Sequence, residues 1–237
     1  MRVLVSRARV SGVLVCRVVV TGGTALIIPV LLAATAFASA SPVGLWHMDE
    51  RSGTTMTDSS GHGNNGTLSH VTVGVAGFTG TAYSFNGSSS IVTVPSSTSL
   101  NPGSTNFVLT VHVKFTALPG SVGDYDLIRK GLSSTSGGDY KMEILSTGKA
   151  SCHWKGSSGS TPDTKPGNAN LADGKWHTVK CSKAATSAQL LVDGVSQWTQ
   201  RVTIGSISNT APLTIGAKSS GGDWYKGTMD EVRVDVG

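Results

Sequence analysis

Alternation of apolar and polar residues is the clearest pattern in this chain. In FVLTVHVKFT (107–116), every second residue from Phe107 to Phe115 is apolar, and most residues between them are polar. Because strand side chains point alternately to the two faces of a sheet, this period predicts a strand with one buried face. Shorter runs between Gly, Ser, Pro and Asn predict further strands at 43–49, 67–73, 82–86, 91–95, 125–130, 140–146, 149–155, 190–195, 197–204, 213–217 and 226–236. The pattern predicts an all-β sandwich.

One hairpin can be placed from its turn. Asp193-Gly194 lies between two of the predicted strands. Both residue types accept the positive φ angles of a type I′ turn, so a tight two-residue hairpin is expected there.

The first 40 residues have a different pattern. This segment begins with a basic region that contains four arginines and no acidic residue. The apolar run ALIIPVLLAATAF (25–37) and the small residues Ala38-Ser39-Ala40 follow it. This order is typical of a bacterial-type secretory signal peptide, and the apolar run is short for a membrane span. We expect an exported protein with a signal at 1–40 and one domain at 41–237, and retention of the signal as an anchor stays open.

The charge balance changes once that segment is set aside. The chain has 19 Lys and Arg residues against 14 Asp and Glu residues, and four of the basic residues lie within residues 1–40. The predicted domain is therefore close to neutral. Neither nucleic acid nor a membrane surface is expected as a partner of the domain.

Four motifs resemble one family. VGLWHMDERSGTTMTDSSGHGNNGTL (43–68), YSFNGSSSIVTVP (83–95), the pair 174–177 with 190–195, and KGTMDEVRV (226–234) occur in this order. Together they resemble laminin G-like (LamG) modules of the concanavalin A-like lectin/glucanase superfamily. The resemblance implies a jelly roll of two antiparallel sheets. The chain departs from the family pattern at His112, where Trp is usual.

Cys152 and Cys181 are the two cysteines of the predicted domain. Cys152 alternates with Ala150 and Trp154, and Cys181 alternates with Val179, so both are expected to face inward. In an exported protein such a pair predicts one buried disulfide. Two unpaired core thiols are the alternative.

Acidic residues near both ends of the domain suggest a calcium site. Two-residue alternation places Asp230 on the face of Val232, towards the core, where an unpaired carboxylate is costly. The family resemblance brings the first and last strands together, so Asp49, Asp58 and Asn86 are expected near Asp230. Calcium accepts six to eight hard oxygen ligands. The alternative is an ordinary cap or turn hydrogen bond for each residue.

Polar strand faces predict a surface for carbohydrate. If their strands are neighbours, His112, Lys141, Glu143 and His153 lie together on a wet sheet face. Trp224 offers a ring for stacking. A solvated sheet face without a ligand is the alternative.

Catalysis is not predicted. Retaining glycosidases need two carboxyl groups about 5–5.5 Å apart, whereas Asp139 and Glu143 would lie roughly 13 Å apart along a strand. Asp124 and Asp126 have no third acid on their strand and are interpreted as solvated. We expect a secreted, non-catalytic module that binds a glycan. Adhesion to another extracellular protein is the alternative, and a glycoside hydrolase on the same fold is less favoured.

Overall fold

Two compact units make up the chain, Met1–Ala38 and Ser39–Gly237. The computed structural model describes the strands at 4–10 and 13–19 and residues 41–120, 123–159 and 165–237. Within these parts, no helix is long and apolar enough to cross a membrane.

The described residues of the first unit form a hairpin. Strand β1 (Leu4–Val10) pairs antiparallel with β2 (Val13–Val19). The predicted signal peptide extends through the apolar run at 25–37 and the small residues before Ser41, which lie outside the described residues. Its presence and cleavage stay a prediction.

The described residues of the second unit form antiparallel strands and one 3₁₀ helix, Thr98–Leu100. In chain order the strands are β3 (Ser41–Trp46), β4 (Thr55–Met56), β5 (Gly66–Ser69), β6 (Thr72–Ala76), β7 (Thr81–Asn86), β8 (Ile91–Val94), β9 (Phe107–Lys114), β10 (Asp124–Lys130), β11 (Asp139–Leu145), β12 (Ala150–Lys155), β13 (His177–Lys183), β14 (Ser187–Val192), β15 (Val195–Arg201), β16 (Leu213–Ile215) and β17 (Lys226–Val236).

These strands form two sheets. Sheet I has seven strands in the order β12-β11-β10-β16-β8-β5-β4. Sheet II has eight strands in the order β15-β14-β13-β9-β17-β7-β6, with β3 paired to β17. All named pairs are antiparallel, which confirms the predicted two-sheet antiparallel β fold.

The core forms where the apolar strand faces meet. In β9, Phe107, Leu109, Val111 and Val113 are fully buried, and the residues between them are half-buried. The predicted alternation of this strand is confirmed. Each such side chain removed from water contributes roughly 1.5–3 kcal/mol to stability.

The Asp193-Gly194 turn joins β14 to β15 as predicted. Both residues have positive φ angles, 50° and 76°. These angles are the ones that a type I′ turn requires.

A disulfide bond links the two sheets. Cys152 lies on β12 of sheet I and Cys181 on β13 of sheet II, and both are fully buried. Their Cα atoms are 5.7 Å apart, as usual for this bond. The predicted pairing is confirmed.

Candidate functional site

A row of polar side chains crosses every strand of sheet I on the face turned away from the core. Residues directly opposite one another in a ladder place their side chains on the same face. Strand pairing aligns these residues, which we call the polar row: His153, Lys141, Arg129, Thr214, Thr93, Thr67 and Thr55. Their strand neighbours, such as Met142 and Ile215, are buried in the core.

Charged side chains crowd around Lys141 at one end of this face. Lys141 Nζ lies 3.1 Å from Asp124 Oδ2 and 3.9 Å from Asp126 Oδ1, and it also contacts Glu143 Oε2. Arg129 Nη1 donates to Asp126 Oδ2 over 2.8 Å. Asp126 lies directly opposite Glu143 in the ladder, so the two carboxylates come from adjacent strands. We call these five residues the charged cluster.

Burial sets the protonation of the charged cluster. It raises the pKa of Asp126 to about 6, although the charges of Arg129 and Lys141 act against it. It raises the pKa of Glu143 to about 8, and hydrogen bonding to Asp124 adds to this rise. Burial also opposes ionisation of Asp124, but that hydrogen bond and the Lys141 charge lower its pKa overall. Near neutral pH, the raised pKa therefore keeps Glu143 protonated beside the ionised carboxylate of Asp124.

The acidic members of the charged cluster could hold a metal ion. Single ligand oxygens of Asp124, Asp126 and Glu143 lie within 4.8 Å of one another. Asp126 Oδ1 is buried and accepts no hydrogen bond, and such hard oxygens suit calcium. The Lys141 ammonium already supplies positive charge at the same place, so a metal ion would have to displace it.

The predicted ligand-binding residues divide between the two sheets. Lys141, Glu143 and His153 lie on β11 and β12 of sheet I, whereas His112 lies on β9 of sheet II. The prediction of one shared surface is wrong, because β9 pairs with β13 and β17 and not with β11. His153 lies at the edge of sheet I, with its Nε2 3.2 Å from Asp139 Oδ2.

The residue before Trp224 contacts the charged cluster through its backbone. The carbonyl of Asp223, the residue before it, accepts a hydrogen bond from the Asp126 N–H over 3.0 Å. The Asp223 carboxylate also pairs with Lys218 at 3.0 Å. Trp224 is half-buried. The loop between β16 and β17 therefore brings the backbone next to Trp224 to the charged end of sheet I.

Two of the four predicted calcium ligands cap loops. Asp58 accepts backbone hydrogen bonds from Leu45, Ser60 and Asn64. Asn86 Oδ1 accepts from the backbone N–H groups of residues 88–90. Both side chains have the cap role that was the alternative to calcium binding.

The other two predicted calcium ligands hold the turn at 77–80, between β6 and β7. Asp230 Oδ2 accepts from the Thr79 N–H over 2.9 Å. Asp49 Oδ1 accepts from the Thr81 N–H over 2.8 Å. In the described part of the chain, the group of acidic, His or Cys ligands that could hold a metal is the one around Glu143 and does not include these aspartates. A calcium ion at the four predicted residues stays a prediction.

Asp230 faces away from the core, contrary to the prediction. The pairing of β17 with β9 shifts between Asp230 and Arg233, where Glu231 has a φ of 48°. This bulge reverses the alternation, so Asp230 lies opposite His112 on the outer face while Val232 remains in the core. Asp230 is fully buried because the turn at 77–80 covers it.

The interpretation of Asp126 as solvated is also wrong, whereas the Asp124 side chain remains 22% exposed. Asp126 is fully buried, and the third acid that β10 lacks is Glu143 on the neighbouring strand. The signal for this site is the charge pattern of two consecutive strands. An Asp-x-Asp in one strand is followed by a Lys-x-Glu in the next. The register sets Asp126 opposite Glu143 and Arg129 opposite Lys141, and opposite charges meet across the diagonals, where Lys141 reaches Asp124 and Asp126.

Comparisons with known proteins identify the fold. A laminin G model, described as concanavalin A-like lectin/glucanases superfamily, matches residues 85–235. No curated protein sequence matches the chain.

Three solved structures illustrate the same jelly roll. The binding domain of Paraclostridial Mosquitocidal Protein 1 has a TM-score of 0.67 at 14% identity, covering 82% of this chain and 48% of that chain. The binding domain of botulinum neurotoxin serotype D has a TM-score of 0.62 at 11% identity, covering 82% and 48%. Domain 4 of AbnA, a GH43 extracellular arabinanase from Geobacillus stearothermophilus solved with arabinotriose, has a TM-score of 0.59 at 16% identity, covering 84% and 93%. The chain spans about half the length of the first two structures.

Proposed function

Because the chain belongs to the concanavalin A-like lectin/glucanases superfamily, we propose that it is a non-catalytic module that binds a glycan on the outer face of sheet I. The polar row carries this proposal. It places hydroxyl, ammonium and imidazole groups on one face of the sheet, on either side of the buried Arg129 and Thr214. Such groups fix a ligand's orientation through hydrogen bonds. The arabinotriose complex of a domain with the same fold supports the ligand class.

The charged cluster prepares part of this face for a ligand. The side chains of Asp124 and Lys141 remain 22% and 14% exposed, whereas those of Asp126 and Glu143 are 1% and 4% exposed. The buried carboxyl groups of Asp126 and Glu143 therefore hold the more exposed Asp124 and Lys141 side chains in place. Groups that are already fixed lose little conformational freedom when they bind a sugar hydroxyl.

Trp224 completes the proposed surface. An aromatic ring offers a flat apolar face, and the half-buried position of Trp224 limits its motion. We expect one sugar ring to lie against the indole while its hydroxyl groups reach Asp124 and Lys141.

The charged cluster supports binding rather than hydrolysis. A retaining glycosidase places two carboxyl groups on either side of the scissile bond. Asp126 and Glu143 are both buried, and each contacts a basic side chain. A glycosidic oxygen could reach neither carboxyl group without displacing Arg129 or Lys141.

An extracellular location belongs to the same proposal. A disulfide persists in oxidising compartments and is rare in the cytosol, and the Cys152–Cys181 bond fits such a compartment. The predicted signal at 1–40 is consistent with export. The partner would then be a polysaccharide or a glycan carried by a surface protein.

Either a calcium ion or the Lys141 ammonium occupies the space between the three carboxyl groups in this proposal. The three carboxyl groups around Lys141 are better gathered than Asp49, Asp58, Asn86 and Asp230. We propose that the ammonium of Lys141 and a calcium ion are mutually exclusive at that place.

Affinity gel electrophoresis tests the proposed function. The protein is run through gels that contain soluble arabinan, xylan or β-glucan, and arabinotriose is added as a competitor. We expect retardation of the wild type in at least one gel and about tenfold weaker retardation of Trp224→Ala, the loss that one aromatic contact explains. Trp198→Ala is the matched control, since Trp198 is partly buried on sheet II.

Each outcome has a defined meaning. Equal retardation of Trp224→Ala and wild type in every gel would rule out binding at this end of sheet I. Release of reducing ends from any of the polysaccharides would replace the binding proposal with an enzymatic one. Absence of retardation, together with a partner protein recovered on the immobilised wild type, would favour protein adhesion.

A further inference from the structure

A group of aromatic side chains stands on the outer face of sheet II. Phe78, in the turn at 77–80, is 50% exposed. Its ring stacks on His112 of β9 with centroids 4.0 Å apart and an interplanar angle of 22°. Trp176, just before β13, approaches the Phe78 ring at 6.2 Å and 71°. We call these three residues the aromatic platform. It lies on the opposite sheet from the polar row.

The position of Phe78 is fixed by the turn that carries it. Asp230 accepts a hydrogen bond from the N–H of Thr79, and Asp49 accepts one from the N–H of Thr81. Gly80 has a φ of 60°, and a Cβ at this position would collide with Asp49 Oδ1. Two carboxylates and a glycine therefore hold this turn in one conformation. The exposed Phe78 ring therefore has a defined position on the sheet.

His112 supports the ring from below. Thr178 Oγ1 lies 3.1 Å from His112 Nδ1. Burial lowers the pKa of His112, although the nearby carboxylates of Glu231 and Asp193 act in the opposite direction. A neutral imidazole stacks well on Phe78 because it carries no charge to desolvate when a ligand covers the face.

Polar groups surround the platform. Lys114 Nζ lies 6.0 Å from the centroid of the Trp176 ring. Glu231, which is near enough to affect the pKa of His112, pairs with His47 at 2.9 Å. The side chains of His47 and Glu231 remain 44% and 23% exposed. Hydrogen-bonding groups therefore stand next to the exposed aromatic face.

We propose that the aromatic platform is a second binding site that takes the apolar face of a sugar ring. The C–H face of a sugar would lie on Phe78, and its hydroxyl groups would meet Lys114 and Glu231. This site is independent of the polar row, because the two surfaces lie on different sheets of the sandwich.

The size of the platform favours a sugar over a protein. A specific protein interface buries about 800 Å² on each partner and has an apolar centre of several side chains. The platform presents one ring that is half exposed, with charged groups at its border. A single aromatic ring of this kind matches one sugar unit.

Phe78→Ala and Trp176→Ala test the proposal in the full-length protein. Retardation in gels containing arabinan, xylan or β-glucan is measured for each variant. We expect Phe78→Ala to weaken retardation about tenfold, as the loss of one stacking contact predicts. We expect the same direction of change in Trp176→Ala. Val195→Ala is the matched control, because Val195 is also a large exposed apolar residue, at 63%. Melting temperatures confirm that each variant is folded.

Comparison with Trp224→Ala separates this site from the sheet I site. Weaker retardation in Phe78→Ala but not in Trp224→Ala supports the platform and overturns the sheet I proposal. The reverse result overturns the platform and leaves the sheet I proposal intact. Loss in both variants, with a larger loss in the double variant, supports two sites. Wild-type retardation in Phe78→Ala, or absence of wild-type retardation in every gel, overturns the platform.

Discussion

At the scale of single residues, the structure is distinguished by charges that are buried in pairs. Lys141 contacts three carboxyl groups, and Arg129 shares Asp126 with it. Removing one member of such a group leaves its partners buried without a counter-charge, which costs more than the group itself contributes. These side chains are therefore sensitive points for both stability and metal binding.

Glu143 should make stability depend on pH. The folded protein holds the Glu143 proton up to about pH 8, whereas the unfolded chain releases it near the ordinary pKa of 4.5. The free energy of unfolding therefore falls as pH rises between these values. Glu143→Gln, which cannot ionise, should be more stable than wild type above about pH 8, by on the order of 1–2 kcal/mol.

Urea unfolding of wild type and Glu143→Gln at a series of pH values checks this prediction. The difference between the two proteins should grow from about pH 6 to about pH 8, a range above the pKa of Asp126. Glu231→Gln is the control, because it makes the same substitution at a partly exposed carboxylate on sheet II. Parallel pH profiles of wild type and Glu143→Gln would contradict the prediction.

Lys141→Met should convert the charged cluster into a calcium site. The variant keeps three gathered carboxyl groups but loses the ammonium between them. We expect it to be less stable than wild type by about 3–5 kcal/mol without metal, and calcium should restore about 2.7 kcal/mol at a hundredfold excess over its dissociation constant.

Melting temperatures in calcium and in chelator measure this effect. The exposed Lys180→Met, on β13 of sheet II, is the control. A calcium response equal in wild type and Lys141→Met would argue against the charged cluster. It would favour the site predicted at Asp49, Asp58, Asn86 and Asp230.

At the scale of elements, the turn at 77–80 and the bulge in β17 depend on each other through Asp230. The bulge turns Asp230 to the outer face, and the turn covers it by donating the Thr79 N–H to its carboxylate. The same turn carries Phe78 onto His112. One irregularity in the last strand therefore determines the position of an aromatic ring on sheet II.

Asp230→Ala should loosen this turn. Loss of the acceptor leaves the Thr79 N–H without its partner, so we expect a loss of about 1–3 kcal/mol in the free energy of unfolding. Hydrogen exchange at the Thr79 amide should become faster. Asp230→Asn keeps one acceptor oxygen and should lose less. Unchanged protection of Thr79 in Asp230→Ala would show that the turn does not depend on this carboxylate.

At the scale of the whole molecule, the sandwich presents a different outer face on each sheet. Sheet I carries the polar row, and sheet II carries the aromatic platform. The buried disulfide joins β12 of one sheet to β13 of the other. It therefore ties the edge strand of sheet I to an inner strand of sheet II.

Replacing both cysteines should lower stability without changing the fold. Cys152 and Cys181 are 29 residues apart. A bond that closes a loop of this length lowers the conformational entropy of the unfolded chain, which stabilises the folded state by about 3–4 kcal/mol. Urea unfolding of Cys152→Ala/Cys181→Ala should show a loss of this size. Reduced wild type should match it. A loss below about 1 kcal/mol would mean that the bond does little to confine the unfolded chain.

The amino-acid sequence alone predicts the features that depend on neighbouring residues. The period of two in β9 predicts its buried face, and the Asp193-Gly194 pair predicts its hairpin. The parity of Cys152 and Cys181 predicts that both point inward, which allows their bond. These features are local because a strand alternates and a tight turn selects its residues whatever lies beyond them.

Which strands and side chains meet depends on packing between distant segments. The strand of His112 joins one sheet and the strands of Lys141 and His153 join the other, although all three alternate in the same way. The bulge after Asp230 turns its side chain to the outer face of sheet II, and no local sequence pattern predicts this bulge. Strand order and register follow from packing between segments far apart in the chain, so alternation predicts a face but not its neighbours.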